Sequence, residues 1–238
     1  MNFTNKFTKY FLLLFIFNIS CSSPRISVFA LNYTPNFSKK IFIAALDKTE
    51  KNAIKNSDNS LLQFRASKEL TTYLYGFSMN EAEELKNQDY DKGKAAYLRT
   101  HNDFVRSLNY INTSLVLDYS NFLLWINGQD NNEIKFKKES AEKLYWAAGA
   151  YAGAIQSSNG DPEWIIQLPK IGLLLEEGMK LDSSWNFGSF YTAMISYSII
   201  RHDAKEDKFI VAQNYFKKAV EVNENFAIAF SNLALVYK

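Results

Sequence analysis

At 238 residues, with 47% hydrophobic and 22% charged side chains, the chain has the composition of an ordinary folded domain and the length for one substantial core or a stack of helix pairs. Its net charge is only +2, with 27 Lys/Arg and 25 Asp/Glu interspersed, which argues against the clustered basic face of a nucleic-acid-binding protein. Nine Gly and four Pro are few, so long stretches are free to be helix. Aromatics reach 16% in a chain also rich in Asn, Lys and Ile, the bias of an AT-rich genome; a single aromatic therefore carries little weight as a functional residue.

The first segment reads as a leader. Lys6 and Lys9 precede an apolar run, Tyr10 to Phe17, followed by Asn18, Ile19, Ser20 and Cys21. A basic start, a short apolar core and small residues make a secretory signal. The run is well short of the roughly 20 residues a membrane-spanning helix needs. Cys21 is the only cysteine, so no intramolecular disulfide can form. Its position resembles a bacterial lipobox, with Ser20 acceptable before it and Asn18 standing where Leu is usual. The expected organisation is a lipoprotein signal peptide over 1–20, a lipidated tether and lead-in over 21–60, and a helical domain over 61–238. An ordinary or uncleaved leader with an incidental cysteine is the alternative. Stable attachment would need the two or three acyl chains such a cysteine usually carries.

Residues 22–60, with Pro24, Pro35 and a short apolar stretch from Ile41 to Leu46, read as a tether and an extended or partly helical lead-in. From Leu61 the pattern is helical: Leu70, Tyr73, Leu74 and Phe77 recur at three- and four-residue spacing. A turn follows at Asn87 to Asp91. The next helix is expected to turn Ala95, Leu98, Val105 and Leu108 inward. Leu115 to Ile126 is a further apolar helix, stopped by Asn127-Gly128. In the helix over 137–156, Leu144, Ala148, Tyr151 and Ile155 form a stripe. Gly149 and Gly153, four apart among alanines, are the spacing that lets a second helix come close. Asp161-Pro162-Glu163 is an N-cap, a proline at the first position and an acid in the first turn. Pro169 then restarts or kinks the helix, which runs to Leu181. Phe187 to Ile200 and two further helices complete the chain.

A repeat lies in the last third. Gly178, Leu181, Asp182, Trp185 and Gly188 match Ala219, Val222, Asn223, Phe226 and Ala229 at a constant offset. Small and aromatic residues at fixed places are what stacked antiparallel helix pairs require. The segment from Ala212 to Tyr237 resembles a tetratricopeptide repeat junction. The expected fold is all-α, antiparallel helix pairs stacked as a tetratricopeptide-like superhelix. Because the chain stops inside its last helix, either the C-terminus is incomplete or Leu233, Leu235 and Tyr237 are covered by a partner.

With a lipoprotein leader, the run Lys143-Leu144-Tyr145-Trp146-Ala147-Ala148-Gly149, then Leu168-Pro169, Leu181-Asp182 and Gly188, the sequence resembles the T-component family of tripartite ATP-independent periplasmic (TRAP) transporters. The resemblance is best over 141–223 and extends back to about Leu61. Tyr151 stands where the family often has Trp, and the charged run Asp203 to Lys208 replaces a glycine-rich turn. The resemblance implies a periplasm-facing helical-repeat lipoprotein, held to the inner or outer membrane by its lipid and associated with the periplasmic solute-binding protein of the transporter. It also implies a hydrophobic cleft for a small apolar or organic-acid ligand, with a homotrimer among the assemblies the family allows.

No catalytic, metal or cofactor motif emerges. There is no GxGxxG or P-loop, and Gly172, Gly178 and Gly188 are isolated. His101 and His202 are the only histidines, and His101-Asn102-Asp103 reads as a solvated helix face rather than a metal site. Glu81, Glu83 and Glu84 look likewise solvated. Tyr145, Trp146, Tyr151 and Trp164 are the candidates to line a ligand cleft, the alternative being that they are core. Three functions remain: a TRAP-associated lipoprotein, a generic tetratricopeptide-like scaffold for envelope complexes, and, much less supported, an envelope hydrolase. A neighbouring gene for a solute receptor and a TRAP permease is expected only for the first.

Overall fold

The computed structural model describes residues 35–129 and 133–237. The leader and Cys21 lie outside them. The chain divides into a short unit ending at Asp47 and a larger one from Lys48 onward. Among the described residues every element is helical and none is a strand, so the fold is all-α.

The stretch expected to be an extended or partly helical lead-in is helix α1, Pro35–Lys55. Its last turns belong to the larger unit, where Ala53 is fully buried and its carbonyl accepts from the Gln63 amide at 2.8 Å. Helix α2, Ser60–Tyr73, is capped by Asn59, whose side chain accepts from the Leu62 N–H at 3.1 Å. A π turn, Leu74–Ser78, joins it without a break to α3, Met79–Gln88. The wider turn shifts the buried face by one residue. Upstream that face runs Ser67, Leu70, Thr71, Leu74; downstream it continues at Met79 and Ala82, not at Ser78 and Glu81.

The turn expected at Asn87 to Asp91 contracts to one extended residue, Asp89 (φ −152°, ψ 109°), which caps α4, Tyr90–Asp118. Of the residues expected to turn inward from helix α4, only Leu108 is buried. Ala95 is exposed, Leu98 is 57% exposed, and Val105 is only half-buried. The inner face is Ala96, Tyr97, Thr100, Phe104, Ser107, Leu108 and Ile111. Hydroxyls explain the difference. Ser60 and Ser114 pair at 3.1 Å, Ser107 meets Ser67 at 2.9 Å and Thr71 at 2.7 Å, and together they form a ladder between antiparallel α2 and α4. Buried polar groups paired in this way can occupy a core face; a count of apolar residues does not find them.

Residues 115–126 are not one helix. The chain turns extended at Tyr119 (φ −142°), whose hydroxyl bonds Ser140 Oγ at 2.7 Å and accepts from the Lys137 N–H at 2.9 Å. Helix α5, Phe122–Ile126, follows and ends at Gly128, with φ at +66°. After a short 3-10 turn come α6, Ala141–Ser157, and α7, Pro162–Ile165, capped by Asp161. Then follow α8, Leu168–Leu181, with Pro169 in its first turn, α9, Trp185–Ile200, α10, Lys208–Val222, and α11, Ala227–Val236. Helix α4 packs on α2, α6 on α4, α8 on α6, and α10 and α11 both pack on α9. Phe104, Leu144, Leu174, Phe190 and Met194 are fully buried. Ala212, Ala219 and Ala229 close around Ile195 at the C-terminal end.

The two junctions of the sequence repeat share one hydrogen-bond pattern. Asp182 (φ −158°) and Asn223 (φ −153°) each close the preceding helix on the carbonyl four back, Gly178 or Ala219, at 3.0 Å. Each side-chain oxygen accepts from the N–H two ahead, at 3.2 Å from Ser184 and 3.1 Å from Asn225. Each carbonyl accepts from the aromatic N–H of Trp185 or Phe226 at 3.2 Å. Beyond that they part. Asn186, Phe187 and Gly188 make a left-handed turn (φ 46°, 62°, 79°), so the right-handed part of α9 starts at Ser189. Their counterparts, Ala227 to Ala229, are regular helix. Gly188 is thus required for its backbone, whereas Ala229 is required for its size.

Candidate functional site

A cavity of about 430 Å³ lies between α2, the π turn, α6, α8 and α9, within the usual range of small-molecule sites. Thr71, Thr72 and Tyr75 form one wall, and Tyr145, Trp146, Ala148, Gly149 and Ala152 another. Ile171 and Leu175 close it from α8; Ala193, Ser196, Tyr197 and Ile200 close it from α9. No charged side chain is among them.

Most of the polar groups that line it are engaged elsewhere. The Thr71 hydroxyl is turned to Ser107, which leaves its methyl on the side of Gly149. Thr72 donates to the Lys68 carbonyl at 2.7 Å, back along its own helix. The Tyr75 hydroxyl donates to the Gly149 carbonyl at 3.0 Å. The Trp146 indole nitrogen is buried without a partner among the described residues. Burial raises the Tyr75 phenol well above its usual pKa, with the neighbouring Tyr145 adding to the effect, and burial also raises Tyr145 and Tyr197. All three therefore face the cavity uncharged at neutral pH.

Tyr145 and Trp146 sit edge to face, ring centroids 6.0 Å apart, and Tyr145 also packs on Trp185 at 5.0 Å and Phe190 at 5.5 Å. Outside the cavity wall, Lys68 holds Glu142 at 2.6 Å and lies 5.6 Å from the Trp146 ring. The structure places the four aromatic candidates in two groups. Tyr145 and Trp146 line the cavity; Tyr151 and Trp164 do not. Tyr151 is buried with Lys170 Nζ 5.4 Å from its ring. Trp164 stands edge-on to His101 at 4.8 Å. His101 is half-buried, with Nδ1 2.9 Å from the Ala154 carbonyl, so it is a packing residue and not part of a solvated face.

The glycines of α6 also separate. A Cβ on Gly153 would stand 2.1 Å from the Phe104 ring, whereas one on Gly149 would meet only Thr71 Cγ2 at 3.9 Å. Gly153 is the site of close approach; Gly149 is cavity wall, and the close contact expected of it is absent. Sequence reasoning missed Tyr75, because a π turn breaks the 3.6-residue register by which faces are read. Among the described residues no cluster of His, Cys, Asp or Glu could hold a metal ion, and no helix is long and apolar enough to cross a membrane.

Among the described residues, an all-α array with a nearly wholly apolar cavity between successive helices defines a class of helical-array protein. Within that class, the chain belongs to the TRAP transporter T-component family, whose model matches residues 37–232. Comparison with the curated proteins finds no match. Membership makes this chain a component of a TRAP transport system.

Proposed function

We propose that this T-component holds a small, uncharged, apolar molecule in the cavity and docks on the solute receptor of its transporter, facing the periplasm from a lipid on Cys21. The observation that carries the ligand class is a cavity of about 430 Å³ with no charged lining residue and its Thr71, Thr72 and Tyr75 hydroxyls engaged within the protein. An organic acid would have to leave water with no cation to meet it, and burying an unpaired carboxylate is heavily unfavourable. An apolar molecule loses nothing there and gains about 25 cal/mol for each Å² removed from water.

The test uses N-phenyl-1-naphthylamine, an uncharged fluorophore that brightens in apolar surroundings. It should bind saturably to a soluble form, be displaced by octan-1-ol, and resist displacement by octanoate at neutral pH. Displacement by octanoate alone would reverse the ligand class. Receptor docking is tested separately, by co-purification with the solute receptor of its TRAP system. Lipidation is tested by Cys21→Ser, which should move the protein from the detergent phase to the aqueous phase; a variant that stays in the detergent phase at the mature size defeats the anchor.

A further inference from the structure

On its own wall of the cavity Tyr75 is the one large side chain, since the other two residues of that wall are Thr71 and Thr72. The adjoining α6 wall includes the small residues Ala148, Gly149 and Ala152. How far the space extends from the α2 side is therefore decided by where the Tyr75 ring stands.

That position is fixed from two directions. The hydroxyl is tied to the Gly149 carbonyl on α6. The ring stands against Phe104, centroids 5.1 Å apart and inclined 64°. Phe104 cannot retreat, because it is fully buried and its ring occupies the place a side chain on Gly153 would need. The backbone at this point is the π turn, which hands the buried face from Leu74 to Met79 and leaves Tyr75 beside the cavity, still 37% exposed. Single π turns are frequent at functional sites.

We propose that Tyr75 sets the size of the ligand the cavity admits, with Phe104 and Gly153 as its positioning residues. The inference rests on the cavity being a ligand site, and it concerns a residue that touches ligand and changes no chemistry. In an apolar cavity of fixed depth, affinity rises with chain length until the cavity is full. Each buried methylene contributes about 0.8 kcal/mol, roughly a fourfold gain in affinity, and further carbons then add nothing.

The experiment measures displacement of N-phenyl-1-naphthylamine by a series of straight-chain alkan-1-ols from soluble forms of the wild-type protein, Tyr75→Phe, Tyr75→Ala and Tyr75→Trp. In the wild type the affinity should climb about fourfold per carbon and then level off. Tyr75→Ala should level off at a longer alcohol, Tyr75→Trp at a shorter one, and Tyr75→Phe at the wild-type length, because the ring rather than the hydroxyl fills the space. If Tyr75→Ala does not fold, the shift in Tyr75→Trp decides the matter alone. A break at the same length in every folded variant overturns the role of Tyr75 while leaving the cavity a binding site. Absence of fluorophore binding in the wild type removes the cavity reading itself, and the proposal with it.

Discussion

A Cβ placed on Gly153 would lie 2.1 Å from Cε1 of Phe104, a separation that real side chains do not reach. The glycine is the seat of that ring, and the ring in turn supports Tyr75. One turn earlier, the same helix presents Gly149 with nothing closer than a methyl at 3.9 Å. Two glycines that look alike in sequence therefore answer to different demands.

Their alanine variants should separate accordingly. Gly153→Ala must displace a fully buried ring, and overpacking of this kind typically destabilises by about 1–3 kcal/mol, set against up to about 1 kcal/mol of improved helix propensity. Gly149→Ala has the propensity gain and no clash, so it should melt at or above the wild-type temperature. Thermal melts of both variants check this; equal effects would mean that the Phe104 contact is not tight.

The hydroxyl ladder makes a second prediction. Ser107 Oγ donates to the Ser67 carbonyl at 3.1 Å, so its one proton is engaged and it accepts from the hydroxyls of Ser67 and Thr71. Ser107→Ala leaves both of these buried donors without that acceptor, an expected loss of about 1–3 kcal/mol. Thr71→Val removes one donor and keeps the shape, so it should cost about 1 kcal/mol and leave fluorophore binding unchanged, since Thr71 already turns its methyl toward the cavity side. Loss of binding in Thr71→Val would show that the hydroxyl serves the ligand and not the core.

The all-helical fold, the stop at Gly128 and the cap at Asp161 were legible in the sequence because each rests on local chemistry: a period, a positive φ, a side chain that accepts a backbone N–H. The likeness of the two junctions was legible in their residues, and Asp182 and Asn223 do make the same bonds. What could not be read depends on distant partners. Most of the inward face of α4 was missed because Ser107 and Ser114 are tolerable in a core only when something across the helix pair, Ser67 or Ser60, answers them. The break at Tyr119 depends on Ser140, twenty-one residues on. Tyr145 and Trp146 were identifiable as candidates from the family run, whereas Tyr75 is brought to the cavity by a π turn with no signature in composition or period.

The cavity should be blockable without unfolding the protein. Gly149→Leu adds a branched side chain to a wall where a Cβ has ordinary van der Waals space. Its remaining carbons must enter the cavity. Circular dichroism should remain helical and the melt cooperative, while N-phenyl-1-naphthylamine binding is lost. The variant also separates cavity from docking surface. If it still co-purifies with the solute receptor, ligand occupancy is not a condition of docking; unchanged fluorophore binding would place the probe somewhere else.

The last prediction is an alkaline limit to stability. Tyr97 is pushed up to about 12 by burial first and then by its bond to Glu83, and burial also raises Tyr75, Tyr145, Tyr151, Tyr197 and Tyr215 from the ordinary value of 10.0. A phenol that holds its proton more tightly when folded favours the folded state in its neutral form. That contribution is complete below the unfolded value of about 10 and is lost as pH rises through the raised folded value. Tyrosine ionisation should therefore leave stability flat from neutral pH to about 10 and lower it steeply between about 10 and 12. Urea melts across that range, followed by the ultraviolet absorbance of ionised tyrosine, report both events together. The share of the absorbance due to these six phenols should rise with unfolding and not ahead of it, because they ionise only once they are released. Tyr97→Phe should flatten the upper part of this decline, at some loss of stability near neutral pH for want of the Glu83 bond. Full ionisation near pH 10 in the still-folded protein would mean that water reaches these rings freely, and the cavity walled by Tyr75, Tyr145 and Tyr197 would then be an open, hydrated cleft.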